Sequence, residues 1–310
     1  MRPAAGALLL ALCSVSAAAH NVDSDDDASF AAAGRLFRFD YANDFFAARD
    51  RYYTQGYGFD LFHPGLAKWP LMRLLAALPG GERSYGLTFR QSGFTPTSLS
   101  SDLVLKGDRP FASYLFLGHV LLSRDPGRGL TLTTEFDVGV IGQGAGGKWI
   151  QEGLHSALGN LAPHGWDNQI RNDAVLDYYI RLEKSLASAS RADAGIFVDA
   201  TAGQPYTNAA AGLMARLGTI ADGPKRGYLF GRVEEKVIAY DATLQGGLLN
   251  RHSPYTLSAA QVERAVTRGD IGVVYDRGGV ALEYSRSFLG REFRDGLAHQ
   301  WGEFSVMARF

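Results

Sequence analysis

A period-two alternation whose polar partners carry charge is the feature that most constrains this chain. In 130–140, Leu130, Leu132, Thr134, Phe136, Val138 and Val140 face one way, and Thr131, Thr133, Glu135 and Asp137 the other. In 174–183, Leu176, Tyr178, Ile180 and Leu182 oppose Asp177, Tyr179, Arg181 and Glu183. Tyr85, Leu87 and Phe89 oppose Ser84, Thr88 and Arg90, and Val280, Leu282 and Tyr284 oppose Glu283 and Ser285. The last strand alternates Phe304, Val306, Ala308 and Phe310 against Ser305, Met307 and Arg309, and stops on the aromatic. A β-sandwich turns apolar side chains inward from both sheets, so arginines and carboxylates on the second face do not fit one. They fit strands of about ten residues with one side in lipid and the other on a polar lumen.

The chain start gives the compartment. Met1 to Ala19 has a basic residue (Arg2), an apolar run (Ala7 to Leu12) and a small-residue cleavage site at Ala17-Ala18-Ala19, the three parts of a secretory signal. Leu12 stands before Cys13 where a lipoprotein signal carries a small residue, which argues against lipidation. Residues 1–19 are therefore expected to be a signal peptide, 20–34 a periplasmic lead-in with the acidic run Asp23 to Asp27, and 35–310 the barrel. No later window offers roughly 20 uninterrupted apolar residues, so no membrane helix is expected. With 20% charged residues and net charge −1, neither disorder nor bulk-charge nucleic-acid binding is expected. The mean hydropathy of −0.09 does not separate a barrel from a soluble protein, because lumen-facing polar residues dilute the apolar ones.

The fold class expected is all-β: a transmembrane antiparallel β-barrel of about twelve strands. The strands fall near 35–44, 52–62, 83–91, 111–121, 130–141, 172–185, 193–203, 208–219, 227–241, 258–274, 279–288 and 300–310. An even number puts both termini in the periplasm. Outer loops then lie at about 45–51, 92–110, 142–171, 204–207, 242–257 and 289–299. The third carries a short helix, with Ile150, Leu154 and Leu158 at helical spacing and Gly159 and Pro163 ending it. His63 to Glu82 is a long inner connection whose Trp69, Leu71, Met72, Leu74, Leu75 and Leu78 suggest a short helix at the membrane surface.

Four polar groupings land on the outer rim: Asn43-Asp44, Thr54, Lys106 with Asp108-Arg109-Pro110, and His155 followed by His164 to Gln169. Each has an ordinary explanation alone. Asn-Asp at a strand end is turn chemistry, a helical His can be a satisfied structural residue, and Trp166 can be an interfacial anchor. Together they offer a base of the type histidine supplies and oxygen donors that could hold a hard cation at a developing oxyanion. No Gly-x-Ser-x-Gly elbow is present, which favours an activated water over an acyl-serine.

These residues, in order, resemble the outer-membrane lipid A 3′-O-deacylase family. The resemblance rests on Asn43-Asp44, Asp50-Arg51-Tyr52-Tyr53-Thr54-Gln55-Gly56, Asp108-Arg109-Pro110-Phe111-Ala112, Gln151 to His155, Gly165-Trp166-Asp167-Asn168-Gln169, and Ala215-Arg216-Leu217-Gly218. It implies a twelve-stranded barrel in the bacterial outer membrane, its active site facing the exterior between the wall and a loop helix. It also implies calcium as cofactor and lipid A, or lipopolysaccharide, among outer-membrane lipids as substrate. By the same resemblance His155 would activate water, Asn43 and Asp44 would orient it or hold calcium, Thr54 would line the site, and Lys106 and Arg109 would contact substrate. Two departures, Phe111-Ala112-Ser113 for Tyr-Ala-Gly and Gly142-Gln143-Gly144 for Gly-Pro, bear on acyl-chain preference rather than hydrolysis. The rival expectations are an outer-membrane phospholipase, which would need a nucleophilic serine, and a non-catalytic scaffold or small pore. Nothing in the sequence points beyond a monomer.

Overall fold

The computed structural model describes residues 34–47, 51–159, 162–220 and 225–310. The signal peptide and nearly all of the periplasmic lead-in expected from the sequence lie outside the described residues. Twelve strands follow in order: β1 Leu36–Asn43, β2 Tyr52–Phe62, β3 Glu82–Thr95, β4 Ala112–Asp125, β5 Leu130–Ile141 and β6 Asp173–Ala189. Then come β7 Ala192–Gln204, β8 Tyr206–Thr219, β9 Lys225–Asp241, β10 Ala265–Arg277, β11 Val280–Leu289 and β12 His299–Arg309. Every strand pairs antiparallel with its sequence neighbours, and β1 closes on β12 in the register Leu36↔Arg309 through Asn43↔Gly302. Closure removes both sheet edges, so each backbone group in the wall finds its partner across a ladder. Among the described residues no helix is long and apolar enough to cross a membrane.

Inward and outward faces follow the alternation. Outward side chains such as Leu117 (63% exposed), Val138, Leu176, Val198, Leu213, Leu229, Val237 and Ile271 form an apolar band, a surface that is stable only against hydrocarbon. On β1–β3 the band is aromatic, with ring centroids of Phe39–Phe59 5.0 Å, Tyr41–Tyr57 5.2 Å and Phe59–Phe89 5.8 Å apart.

The lumen is filled in three layers. Nearest the termini, Leu36, Phe62, Val120, Leu122, Val274 and Met307 pack together. The middle is a belt of ion pairs: Arg38–Asp40 at 2.6 Å, Arg90–Asp60 at 2.7 Å, Arg181–Glu183 at 2.6 Å, and Arg232 and Arg268 on Asp270 at 3.0 and 2.8 Å. Toward the other rim, Tyr53, Phe94, Tyr114, Phe116, Tyr206 and Trp301 form a second apolar layer. Residues 242–264 cap it, beginning with the one-turn helix α2 (Ala242–Gln245; α1 is described below), where Leu244 packs with Leu257, Val262 and Phe293. At the terminal end of β4–β9 a cavity of about 620 Å³, lined by Thr131, Glu183, Asp193, Arg216 and Arg226 among others, opens beside these layers.

Two expectations are corrected here. The tenth strand starts at Ala265 rather than 258, because 258–264 folds into the cap, where Val262 bridges Phe293. The long connection after β2 is not one helix but two 3₁₀ turns, Pro64–Lys68 and Pro70–Leu74. Proline starts each turn but cannot continue an α-helix through it, since it lacks the N–H. This strap lies on the outward wall of β3–β6, with Leu66, Met72 and Leu75 buried beside Leu121, Tyr85, Leu87 and Phe136.

The strap explains the polar side chains on that wall. Irregular backbone facing lipid must have its amides satisfied, and the wall does so. The Tyr178 hydroxyl donates to the Leu74 carbonyl (3.2 Å) and accepts from the Ala76 N–H (3.1 Å). The Thr134 hydroxyl donates to the Ala76 carbonyl (2.9 Å), and Ser123 Oγ accepts from the Leu78 N–H (3.0 Å). Tyr178→Phe removes two of these bonds, each worth about 1 kcal/mol. Trypsin cleavage at Lys68 and Arg73 is then expected to speed up several-fold while the barrel keeps its heat-modifiable mobility; unchanged cleavage would show the strap is held by packing alone.

Candidate active site

The connections at the two ends of the barrel differ. At the terminal end most turns are short, 126–129, 190–191 and 278–279, while the far rim carries 96–111, 142–172, 242–264 and 290–298. The residues singled out from the sequence sit on this far rim.

β1 ends because Asn43 Oδ1 accepts the Phe45 N–H at 2.7 Å, the side chain standing in for a strand partner. The 3₁₀ turn Asp44–Ala47 follows, and Asp44 Oδ2 accepts the Arg51 N–H at 2.6 Å, tying the loop to the start of β2. Phe46 clamps this turn against the outward face of β12. A Cβ on Gly302 would lie 2.6 Å from that of Phe46, so only glycine leaves room, and the ring meets Tyr284 edge-on at 6.2 Å.

β2 begins on Tyr52 with φ at +66°, and its pairing with β3 slips between Tyr53 and Gln55. Thr54 is the extra residue of that bulge. Tyr53 turns into the lumen against Trp301 and Phe94. On the outward face Asn43, Gln55, Gly93 and Ser113 stand side by side across β1–β4. This row is where the helix of the third loop seats.

That helix is α1, Gly147–Leu158, begun by the left-handed Gly146 and ended by the left-handed Gly159, as its sequence signals suggested. The Gln151 amide donates to Thr54 Oγ1 at 3.2 Å and accepts the Trp166 indole N–H at 2.7 Å. His155 is one turn on from Gln151, on the same face, and is 8% exposed. The wall–helix contact therefore brings Thr54, Gln151 and the His155 face of α1 together beside Asn43 and Asp44. A Cβ on Gly147 would lie 2.5 Å from Ser113 Cβ and 2.9 Å from the Trp166 ring. Gly147→Leu is accordingly expected to lift the start of α1 and lower activity at least tenfold with no loss of the folded barrel. Full activity in that variant would show that the helix need not seat.

Ser113 Oγ donates to the Gly142 carbonyl at 3.0 Å, tying β4 to the residues that lead into α1. Trp166, 1% exposed, is a packed residue against Phe111 and not an interfacial anchor.

The substrate-contact reading of Arg109 is corrected. Arg109 is 1% exposed inside the barrel mouth, where it pairs with Glu292, donates to Thr243 Oγ1 at 2.5 Å and lies over the Phe94 ring at 4.2 Å. A guanidinium held on three sides within the lumen cannot meet a lipid outside the wall. Lys106 is exposed, and among the described residues it has no hydrogen bond or ion pair; the next residue, Gly107, donates to Tyr255 at 2.6 Å. Nothing in that arrangement brings Lys106 to the Gln151–Thr54 contact.

A family model described as outer membrane protein LpxR matches residues 6–310. The chain belongs to the LpxR family. Among solved structures it is similar to LpxR from Salmonella typhimurium, 19% identical over 89% of this chain and 100% of the other, with a TM-score of 0.73. It is also similar to the beta domain of the Bordetella autotransporter Brka, 12% identical over 89% and 99%, with a TM-score of 0.47. The first of these likenesses bears out the closed twelve-stranded barrel with a short helix between strands. No curated protein matches the chain. Family and fold together place the chain in the outer membrane.

Two residues beside this candidate site were given no role in the sequence reading, although Gln151 opens the segment Gln151 to His155 quoted there. Gln151 is four residues before His155, the spacing that puts both on one helix face. Gln91 is 2% exposed on the outward face of β3, between Tyr57 and Leu115, with both amide polar atoms buried and without a partner. A polar residue where Leu87 and Phe89 set an apolar face was the mark that could have found it.

Proposed function

We propose that this chain is an outer-membrane esterase that removes the 3′ acyloxyacyl group of lipid A, working from the outer leaflet with its site toward the cell exterior. The observation that carries the reading is the Gln151–Thr54 hydrogen bond, which seats the histidine-bearing face of α1 against the lipid-side surface of the wall. Membership in the LpxR family supports the substrate class. The orientation rests on loop length, since bacterial barrels have short periplasmic turns and longer outer loops.

His155 would take a proton from water as the water oxygen bonds to the ester carbonyl carbon, and would return it to the 3′ oxygen as the acyl C–O bond breaks. Thr54 and Gln151 hold α1 in place. Gln91 lends unpaired amide groups to the same surface. Asn43 Oδ1 accepts the Phe45 N–H, which sets the turn that presents Asp44 and leaves the second lone pair of that oxygen for a cation.

Asp44 and Asn43 are hard oxygen donors of the kind calcium takes, with no soft ligand beside them, and in kind they fit. In number they do not complete a shell: among the described residues no group of three or more His, Cys, Asp or Glu converges, and calcium takes six to eight oxygens. Lipid and water oxygens would supply the rest. Bound there, calcium would contribute positive charge to the oxyanion of the tetrahedral intermediate.

Purified protein offered lipid A and phosphatidylethanolamine side by side is expected to release fatty acid from lipid A alone. Release from the phospholipid at a comparable rate would replace this reading with a phospholipase.

A further inference from the structure

At the far rim β1 stops short of its two neighbours, and one side chain fills the place it leaves. Asn43, the last residue of β1, stands opposite Gln55 of β2 and Gly302 of β12. Beyond that point β2 runs on to Tyr52 and β12 to His299, with no strand between them. Outside the wall the turn Asp44–Ala47 folds over this gap, with Phe46 on Gly302. Inside it, His299 Nε2 accepts the Tyr53 N–H at 3.1 Å. His299 is 3% exposed, and its ring meets those of Tyr52 (5.7 Å) and Trp301 (5.4 Å).

The bond falls where the backbone most needs one. Tyr52 enters β2 at φ +66°, a left-handed conformation that strains a tyrosine, and the slip after Tyr53 interrupts the ladder to β3. Such conformations persist only where the surroundings over-determine them, and a bulge disrupts the ladder around its extra residue. Tyr53 is buried, so water cannot take over its N–H, and a buried donor left without an acceptor costs free energy. The next residue along is Thr54, whose Oγ1 receives the Gln151 amide of α1. His299, the bulge and the helix seat thus form one connected chain from the lumen to the lipid side of the wall.

We propose that His299 is a positioning residue: from inside the lumen it fixes the Tyr53–Thr54 bulge, and through the bulge it sets where Thr54 meets α1. It touches no lipid, because it lies on the lumen side of the wall while α1 seats on the outward side. What the position requires is an acceptor. A ring of similar shape without one would keep the packing against Tyr52 and Trp301 and lose the hold on the bulge. The effect on catalysis rests on the deacylase reading; the effect on the seat of α1 does not.

The test uses the full chain in detergent micelles, with heat-modifiable mobility confirming the folded barrel. Two readouts are followed: kcat/KM on lipid A, and the rate at which Lys-C cuts after Lys148, which needs α1 to leave the wall and open. His299→Phe keeps an aromatic ring and removes the acceptor. It is expected to lower kcat/KM about tenfold and to speed the cut by a similar factor, the worth of one buried hydrogen bond. His299→Gln, whose amide oxygen can accept the Tyr53 N–H, is expected to restore both readouts toward the wild type. In a Thr54→Ala background His299→Phe is expected to change neither readout further, because the contact it serves is already gone. Losses that multiply in the double variant, equal losses in the Phe and Gln variants, an unchanged cutting rate, or unfolding of the barrel by His299→Phe each overturn the proposal. Wild-type protein that leaves lipid A intact would sink the deacylase reading alone, and the cutting rates at Lys148 would still decide the role of His299.

Discussion

Replacing His155 with alanine is expected to lower lipid A deacylation about 10²–10⁴-fold, the range a lost general base costs, while the barrel folds as before. His155 stands on α1, outside every strand ladder, so its removal leaves the wall, the lumen ion pairs and the closing β1–β12 seam untouched. The loss should fall on kcat, because the imidazole is assigned to proton transfer and not to holding lipid. Measured rates on purified lipid A decide it. A variant retaining full activity would move the base elsewhere, and loss of folded barrel would make His155 a structural residue.

Arg109→Ala is expected to act on stability. It removes the guanidinium that pairs with Glu292, which is itself 3% exposed, together with the bond to Thr243 and the contact with Phe94. Breaking one half of a buried pair costs about 3–5 kcal/mol, because the other charge stays buried. The urea midpoint should fall accordingly, and replacing Arg109 and Glu292 together by methionine should cost less than Arg109→Ala alone. Unchanged stability with a raised KM for lipid A would instead restore Arg109 to the substrate.

The wall was legible in the sequence because its two solvents, lipid and a polar lumen, impose opposite chemistry on alternate residues. β5 and β6 read correctly from Glu135, Asp137, Asp177 and Arg181 alone. Where a segment leaves the wall that signal stops. Val262 looked like a strand residue but packs in the cap beside Phe293, and the apolar run from Trp69 to Leu78 looked helical although Pro70 starts only a 3₁₀ turn there, ending at Leu74.

The candidate site was legible in part. Asn43, Asp44, Thr54 and His155 drew notice as polar residues at one rim, and the wall–helix contact brings their segments together. Arg109 misled because adjacency to Lys106 and Asp108 says nothing about direction: its side chain runs inward to Glu292, a residue 183 positions away. Gln151 was quoted in the motif Gln151 to His155 without a role, because glutamine is ordinary in a helix, and only the partners Thr54 and Trp166 give it one.

The most direct measurement is to incubate the purified protein with lipid A in calcium or in chelator and weigh the products by mass spectrometry. Loss of a mass equal to the 3′ acyloxyacyl group, in calcium only, is the predicted result. Lipid A intact in both samples, from protein shown to be folded, would contradict it.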